Sequence, residues 1–165
     1  MYNYIAETIF KFIPKEQNIN LIEIGCGTGY MKTLLPKNWK YTGTTVRQSE
    51  LKQNKDLVYQ DILDLKYDNN SFDVVVCNHT LEYVVDQTHG LCEILRIIKK
   101  YGYIFLNYGY DKNKPLNSTH KYLLTSDAFK EIFKCFGFDL IMIDSFDDFN
   151  VTNEFYIARK LEDTE

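Results

Sequence analysis

Glu23, Gly25, Gly27 and Gly29 stand at alternate positions in the run Leu-Ile-Glu-Ile-Gly-Cys-Gly-Thr-Gly-Tyr of residues 21–30. Three glycines in a tight turn remove side chains and permit positive φ, so a ligand can lie against bare backbone. Leu21, Ile22 and Ile24 read as the end of a buried strand entering that turn. Thr28 through Leu35 read as a helix leaving it, with Met31, Leu34 and Leu35 at helical spacing. A glycine-rich turn between strand and helix can also serve geometry alone. The carboxylate of Glu23, two residues before the first glycine, favours a ligand that offers donors.

The spacing discriminates between ligands. A dinucleotide fingerprint needs G-x-G-x-x-G, its third glycine opening a helix under a pyrophosphate. Counted from Gly25, that third position is Tyr30, which disfavours a nucleotide-dependent oxidoreductase. The E-x-G-x-G-x-G form resembles motif I of the class I S-adenosylmethionine (SAM)-dependent methyltransferases. SAM has no phosphate to cradle, but its amino group and ribose hydroxyls welcome acceptors.

The elements that would position this loop alternate in type. Tyr2 to Phe12 forms a short amphipathic helix, with Ile5, Ile9, Phe12 and Ile13 on one face and Pro14 beyond. Strands are expected at Trp39–Val46, Leu57–Gln60 and Phe72–Cys77, the last apolar enough to be buried on both faces. A very short helix starts near Ser49-Glu50, and a longer one runs over Gln87 to Lys99 with Leu91, Ile94, Leu95 and Ile98 on one face. Tyr103–Asn107 is a further strand, Gly109 to Asn117 a loop, and Ser126 to Phe136 a helix with Ser126 as N-cap and Gly137 as its C′ glycine. Two strands, Phe138–Ile143 and Glu154–Arg159, close the pattern as an antiparallel hairpin around the acidic loop Asp144–Asn153. Such alternation predicts an α/β fold with right-handed crossovers. It resembles the Rossmann-like methyltransferase fold, a doubly wound, seven-stranded, mostly parallel sheet whose last strand is antiparallel. One domain is expected over residues 1–165, with an N-terminal helix at 1–14 and a core at 19–160.

Ligands of open α/β sheets sit outside the carboxyl ends of the strands, so the residues after each strand matter most. On the resemblance, Glu23 anchors the methionine end of SAM while Gly25, Cys26, Gly27 and Gly29 abut the adenosine. The acid that grips the ribose in this family is replaced by Thr45, within Gly43-Thr44-Thr45-Val46. A hydroxyl makes one neutral hydrogen bond where a carboxylate makes two charge-assisted ones. Glu50, one helical turn on, can reach back as the missing acceptor or stay solvated at its helix start. A similar Gly-x-Thr pattern occurs in the cyclopropane fatty acid synthase branch of the fold. Asp61 and Ile62 resemble the acid-plus-apolar pair that reads adenine, although Asp61 could equally cap a turn.

Asn78-His79-Thr80-Leu81-Glu82-Tyr83-Val84 resembles the H-x-L-E-H-V segment of small-molecule methyltransferases, with Tyr83 in place of the second histidine. Asn78 is placed at the cofactor. His79 and Glu82 share a helical face; with no further ligand beside them they do not make a metal site. The run from Cys92 to Gly102 resembles the family's E-x-x-R-v-L-K-p-G-G, a structural element. His120 lies in a loop where related enzymes carry an active-site histidine. His79 is either a structural histidine or a pocket-lining proton acceptor, and His120, Tyr108 and Tyr110 are either substrate-side residues or structural ones; His79 and His120 are the catalytic candidates.

Composition sets the outer limits. The 165 residues are 45% hydrophobic and 25% charged with a net charge of −4, and the pI is near 5.4. No global basic field draws this chain to nucleic acid or to an anionic membrane. Cys26, Cys77, Cys92 and Cys135 are widely spaced and form no C-x-x-C, as expected of free thiols in the cytoplasm. The resemblance implies a SAM-dependent methyltransferase that releases S-adenosylhomocysteine and acts on a small molecule, with oxygen preferred over nitrogen or carbon as acceptor. The alternative is a catalytically weak or inactive SAM-fold binding or partner protein.

Overall fold

Val74 and Val76 face one side of a sheet, Val75 and Cys77 face the other, and all four are fully buried. A strand with two apolar faces needs a layer on each side of it, and the rest of the chain supplies them. The computed structural model describes residues 1–111, 124–148 and 151–162. Seven strands, β1 (Asn20–Ile24), β2 (Lys40–Thr45), β3 (Val58–Tyr59), β4 (Phe72–Asn78), β5 (Ile98–Asp111), β6 (Phe138–Asp148) and β7 (Val151–Lys160), form one sheet in the order β3-β2-β1-β4-β5-β7-β6. The first five are mutually parallel, and β7 runs antiparallel to both β5 and β6. The doubly wound sheet expected from the sequence is therefore present, with its antiparallel strand β7 between β5 and β6.

The two covering layers are unequal. Helices α3 (Gln87–Arg96) and α4 (Ser126–Cys135) cover one face, burying Leu91, Ile94 and Leu95 from the first and Phe129 and Phe133 from the second. On the other face, α1 (Tyr2–Phe12) sets Ile5 and Ile9 against Leu21, Val74, Val76 and Phe105. Their spacing of four places both isoleucines on one stripe of the helix. Helix α2 (Gln48–Gln53) buries none of its residues. No helix among the described residues is long and apolar enough to cross a membrane.

Several expected boundaries move, each for a local reason. The helix expected over residues 28–35 is a five-residue 3₁₀ turn, Tyr30–Leu34, because Gly29 is left-handed at φ 80° and Pro36 follows closely. Helix α3 ends at Arg96, and Ile98 already pairs with Phe72 as the first residue of β5. Gly109–Asp111 belong to β5 rather than to a loop, because β7 pairs along the strand as far as Asp111. Most of the expected acidic loop is likewise strand in β6 and β7. Thr125, not Ser126, caps α4 by accepting from the Ala128 amide, while Ser126 donates to Glu154.

Candidate functional site

The strand order reverses between β1 and β4, whose chain neighbours lie on opposite sides. A cavity of about 610 Å³ opens there, beyond the carboxyl ends of the strands. That is the position at which doubly wound sheets bind ligands. Gly25 and Gly27 form part of its floor. Both are left-handed, at φ 67° and 58°. A Cβ on Gly25 would meet Thr80 Oγ1 at 2.1 Å, whereas one on Gly27 would meet nothing within 4 Å. Gly25 therefore lets the turn pack on Thr80, and Gly27 leaves bare backbone facing open space.

Glu23 lies directly beneath this turn and is fully buried. Its Oε2 accepts from the Tyr41 hydroxyl at 2.6 Å, and its Oε1 has no hydrogen-bond partner. Burial pushes its pKa up to about 7, against the lowering effect of the Tyr41 and Tyr2 hydroxyls. The parallel register explains Tyr41: Glu23 pairs with Gly43, two residues along β2. A Cβ on Gly43 would stand 2.8 Å from the Tyr41 hydroxyl. Glycine inside this strand thus leaves room for the phenol to reach the carboxylate. Tyr2, the first residue of α1, lines the cavity and turns its hydroxyl toward Glu23 and Asn78, with its ring edge-on to Tyr30 at 5.8 Å between centroids. Burial first, then the charge of Glu23, pushes the Tyr2 phenol up to about 12.

At the other end of the cleft, Thr45 Oγ1 donates to Glu50 Oε2 at 2.5 Å. The chain does bring Glu50 back to the position after β2, where Arg47 also approaches it at 3.6 Å. Thr45 Oγ1 additionally accepts from the Arg47 amide. Asp61 caps a turn through Oδ1, which accepts from the Leu63 amide at 3.0 Å, and it still lines the cavity beside Ile62. The turn-capping alternative is thus present, in a residue that also stands on the cavity wall.

His79 adopts φ 49° directly after β4 and lines the cavity. Its Nδ1 lies 2.9 Å from Glu82 Oε1, and its Nε2 lies 2.9 Å from Asn107 Nδ2. The same Asn107 nitrogen donates to Asn78 Oδ1 at 3.0 Å. An amide nitrogen only donates, so Nε2 is the acceptor and Nδ1 carries the proton toward Glu82. Glu82 is buried and also accepts from the Gly109 amide. The pair is thus a histidine oriented by a buried carboxylate, whose unprotonated nitrogen accepts from the buried Asn107 amide.

The cleft gathers Gly25, Gly27, Thr45, Glu50, Asp61, Ile62, Asn78 and His79 along its walls. Three expected contacts lie elsewhere. The Cys26 amide bonds Thr44 O, and the Cys26 side chain is fully buried, its Sγ within 2.9 Å of where a Gly43 Cβ would lie. Gly29 bonds back to Cys26 and packs near Leu57 and Asn54, so it shapes the turn without facing the cavity. Glu23 stays behind Tyr2. Tyr108, expected near a substrate, is fully buried against Phe129 and hydrogen-bonded to Gln87. Tyr110 packs on the same core. His120 lies outside the described residues. Tyr2 and Tyr41 were missed; Gly43 inside a strand, two residues from a tyrosine, was the available signal for Tyr41.

These residues fit a nucleoside joined to an amino acid. A backbone floor faces open space at Gly27, a buried carboxylate oxygen without a partner lies beneath that turn, and a hydroxyl–carboxylate pair stands at the other end. Comparison with known proteins agrees with that fit. The profile of a family described as "Methyltransferase domain" matches residues 22–106, more than half of the chain. A SAM-dependent methyltransferase from Methanosarcina mazei is 14% identical with a TM-score of 0.74, over 94% of this chain and 98% of that one. A candidate sarcosine dimethylglycine methyltransferase from Galdieria sulphuraria is 12% identical with a TM-score of 0.81, over 98% and 85%. The [4+2]-cyclase SpnF is 14% identical with a TM-score of 0.77, over 96% and 80%. At such identities the structural matches establish the fold alone.

Proposed function

The chain belongs to the methyltransferase domain family and is a SAM-dependent methyltransferase, and from that premise we propose that it methylates a small molecule, with oxygen rather than nitrogen or carbon as the acceptor. The observation that carries the acceptor is His79 on the cleft wall, its Nδ1 held by the buried Glu82 behind it. An alcohol or phenol must lose a proton as it takes up a methyl group, whereas a neutral amine attacks with a free lone pair. His79 Nε2 is the unprotonated nitrogen, and an incoming hydroxyl exchanges for the Asn107 amide there. Glu82 holds the ring in that tautomer and stabilises the imidazolium that results.

SAM, when bound, supplies the electrophilic methyl group on a sulfonium. The protein's own work is orientation, which in analogous systems is worth effective molarities of about 10⁵–10⁸ M. Gly25 and Gly27 bring backbone to the ligand, Thr45 and Glu50 accept from a ribose, and Asp61 with Ile62 takes the base. The cavity's size lies in the range of small-molecule sites, about 300–1,000 Å³. On this reading the whole chain acts as one domain in the cytoplasm, its four thiols free.

Methyl transfer to a panel of phenols, carboxylates and amines tests the proposal. A His79→Asn variant should lose about a hundredfold in kcat on hydroxyl acceptors and little on amines. Equal loss on both classes, or methylation of amines alone, would refute oxygen as the acceptor. The second reading, a SAM-fold protein with little turnover of its own, draws on Thr45 in place of the family's ribose acid. It predicts S-adenosylhomocysteine binding without methyl transfer to any member of the panel.

A further inference from the structure

Tyr2 belongs to a helix outside the matched segment, yet its ring forms part of the cleft wall. Thr45 and Glu50 follow β2, and Asp61 and Ile62 follow β3, so ribose and base occupy the β2–β3 side. What hangs from the ribose then points toward β1 and β4, where Tyr2, Asn78, Thr80 and the glycine floor meet. Glu23, the carboxylate nearest that end, is fully buried and does not reach the cavity wall. Its Oε1 has no hydrogen-bond partner, while the nearby Tyr2 phenol, which lines the cavity, favours its charged form.

We propose that Tyr2 is the residue that recognises the amino-acid tail of the cofactor, relaying the charge of Glu23 to the tail's ammonium through its hydroxyl. The inference rests on the methyltransferase reading above and assigns a specificity-determining contact within the same site. A phenol both accepts and donates. It can therefore donate to Glu23 while its oxygen accepts from an ammonium. The phenol stays protonated at physiological pH, being pushed up to about 12 by burial and by Glu23. Its placement is rigid: Ile5 and Ile9 fix α1 on the sheet, and the Tyr30 ring braces the Tyr2 ring from the side. Groups mounted on packed helices hold geometry better than groups on loops.

Two ligands separate the tail from the nucleoside. S-Adenosylhomocysteine carries both, and 5′-methylthioadenosine keeps the nucleoside and thioether but lacks the amino acid. Calorimetry with the full chain should show Tyr2→Phe weakening S-adenosylhomocysteine about tenfold while leaving methylthioadenosine unchanged. Tyr2→Ala should weaken S-adenosylhomocysteine at least as much. Unchanged S-adenosylhomocysteine affinity in Tyr2→Phe, or equal loss for both ligands, overturns the proposal. So does tighter binding by Tyr2→Ala, which would mark Tyr2 as a plug. Thermal midpoints without ligand check folding, and Tyr2→Phe, which keeps the ring, decides if Tyr2→Ala melts early. Wild-type protein that binds neither ligand would refute the methyltransferase reading and this proposal with it. Wild-type protein that binds both equally would refute the tail contact alone.

Discussion

Glu23, buried beneath the cleft, and Glu50, on its wall, are held in opposite ways. Glu23, on a central strand, is wholly buried with one oxygen bonded to Tyr41 and the other unpartnered. Glu50, on a helix that buries nothing, keeps 16% of its side chain exposed and has Thr45 on one oxygen and Arg47 near the other. Burying a charge without a full set of partners is costly, and the group responds by shifting its pKa toward neutrality. Glu23 does so, rising to about 7. The protein thus sacrifices stability at one end of the cleft to keep a carboxylate dry, and holds the other with a pair that water also serves. A dry carboxylate answers strongly to a cation; a wet one mainly sets hydrogen-bond geometry.

The cleft is broken most completely by Gly27→Val. A Cβ at this position meets no protein atom within 4 Å, so the fold should survive with about 1–2 kcal/mol lost to the left-handed backbone. S-Adenosylhomocysteine binding by calorimetry should fall by more than about a hundredfold, since about 3 kcal/mol of lost contact suffices for that. Normal binding would mean the ligand lies elsewhere.

Glu23→Gln sharpens the contrast through pH. The folded-state pKa of Glu23 is raised from an ordinary 4.5 to about 7, so folding favours its protonated form. Its contribution to stability is complete below pH 4.5 and is lost as pH rises through about 7. Wild-type protein without ligand should lose on the order of 3 kcal/mol between pH 4.5 and 8 from this group, and the variant should not. Denaturant midpoints across that window read the difference directly. The variant should also bind S-adenosylhomocysteine about tenfold more weakly. A wild-type curve parallel to the variant's would remove Glu23 as the buried titrating group.

Thr45→Val is the mildest test. It removes a hydroxyl from a partly wet pair, so stability should change by about 1 kcal/mol or less. Affinity for S-adenosylhomocysteine should fall about threefold to tenfold, with Glu50 left to serve the ribose alone. A loss as large as that in Gly27→Val would show that Thr45, not Glu50, is the principal ribose contact.

Much of this arrangement is legible in the sequence because it is local. The apolar run of β4, the alternating glycines, and the five-residue reach from Thr45 to Glu50 all lie within one or two turns of chain. What escaped notice depends on register. Tyr41 meets Glu23 only because β1 and β2 pair with Gly43 opposite the acid, and Tyr2 meets the cleft only through the phase at which α1 docks. Burial also redirected residues whose types promised chemistry: Tyr108 faces the core because β5 continues beyond the expected strand end. Cys26 was drawn into the core by its neighbours in the same turn. The segment after the glycines is a 3₁₀ turn rather than the longer helix its apolar spacing suggests, because that spacing does not register a left-handed Gly29 or the proline seven residues on.

The placement of β7 between β5 and β6 has a consequence for how the protein is made. β6 leaves the ribosome before β7, yet among the described residues β7 is the only strand it pairs with. β5 is likewise left with one open edge until β7 arrives. The nascent chain must therefore carry two unsatisfied strand edges until β7 has been made, a state prone to aberrant pairing. β6 and β7 are adjacent in sequence and can zip as a hairpin within microseconds. The sheet then closes by docking that finished hairpin onto β5 as a unit.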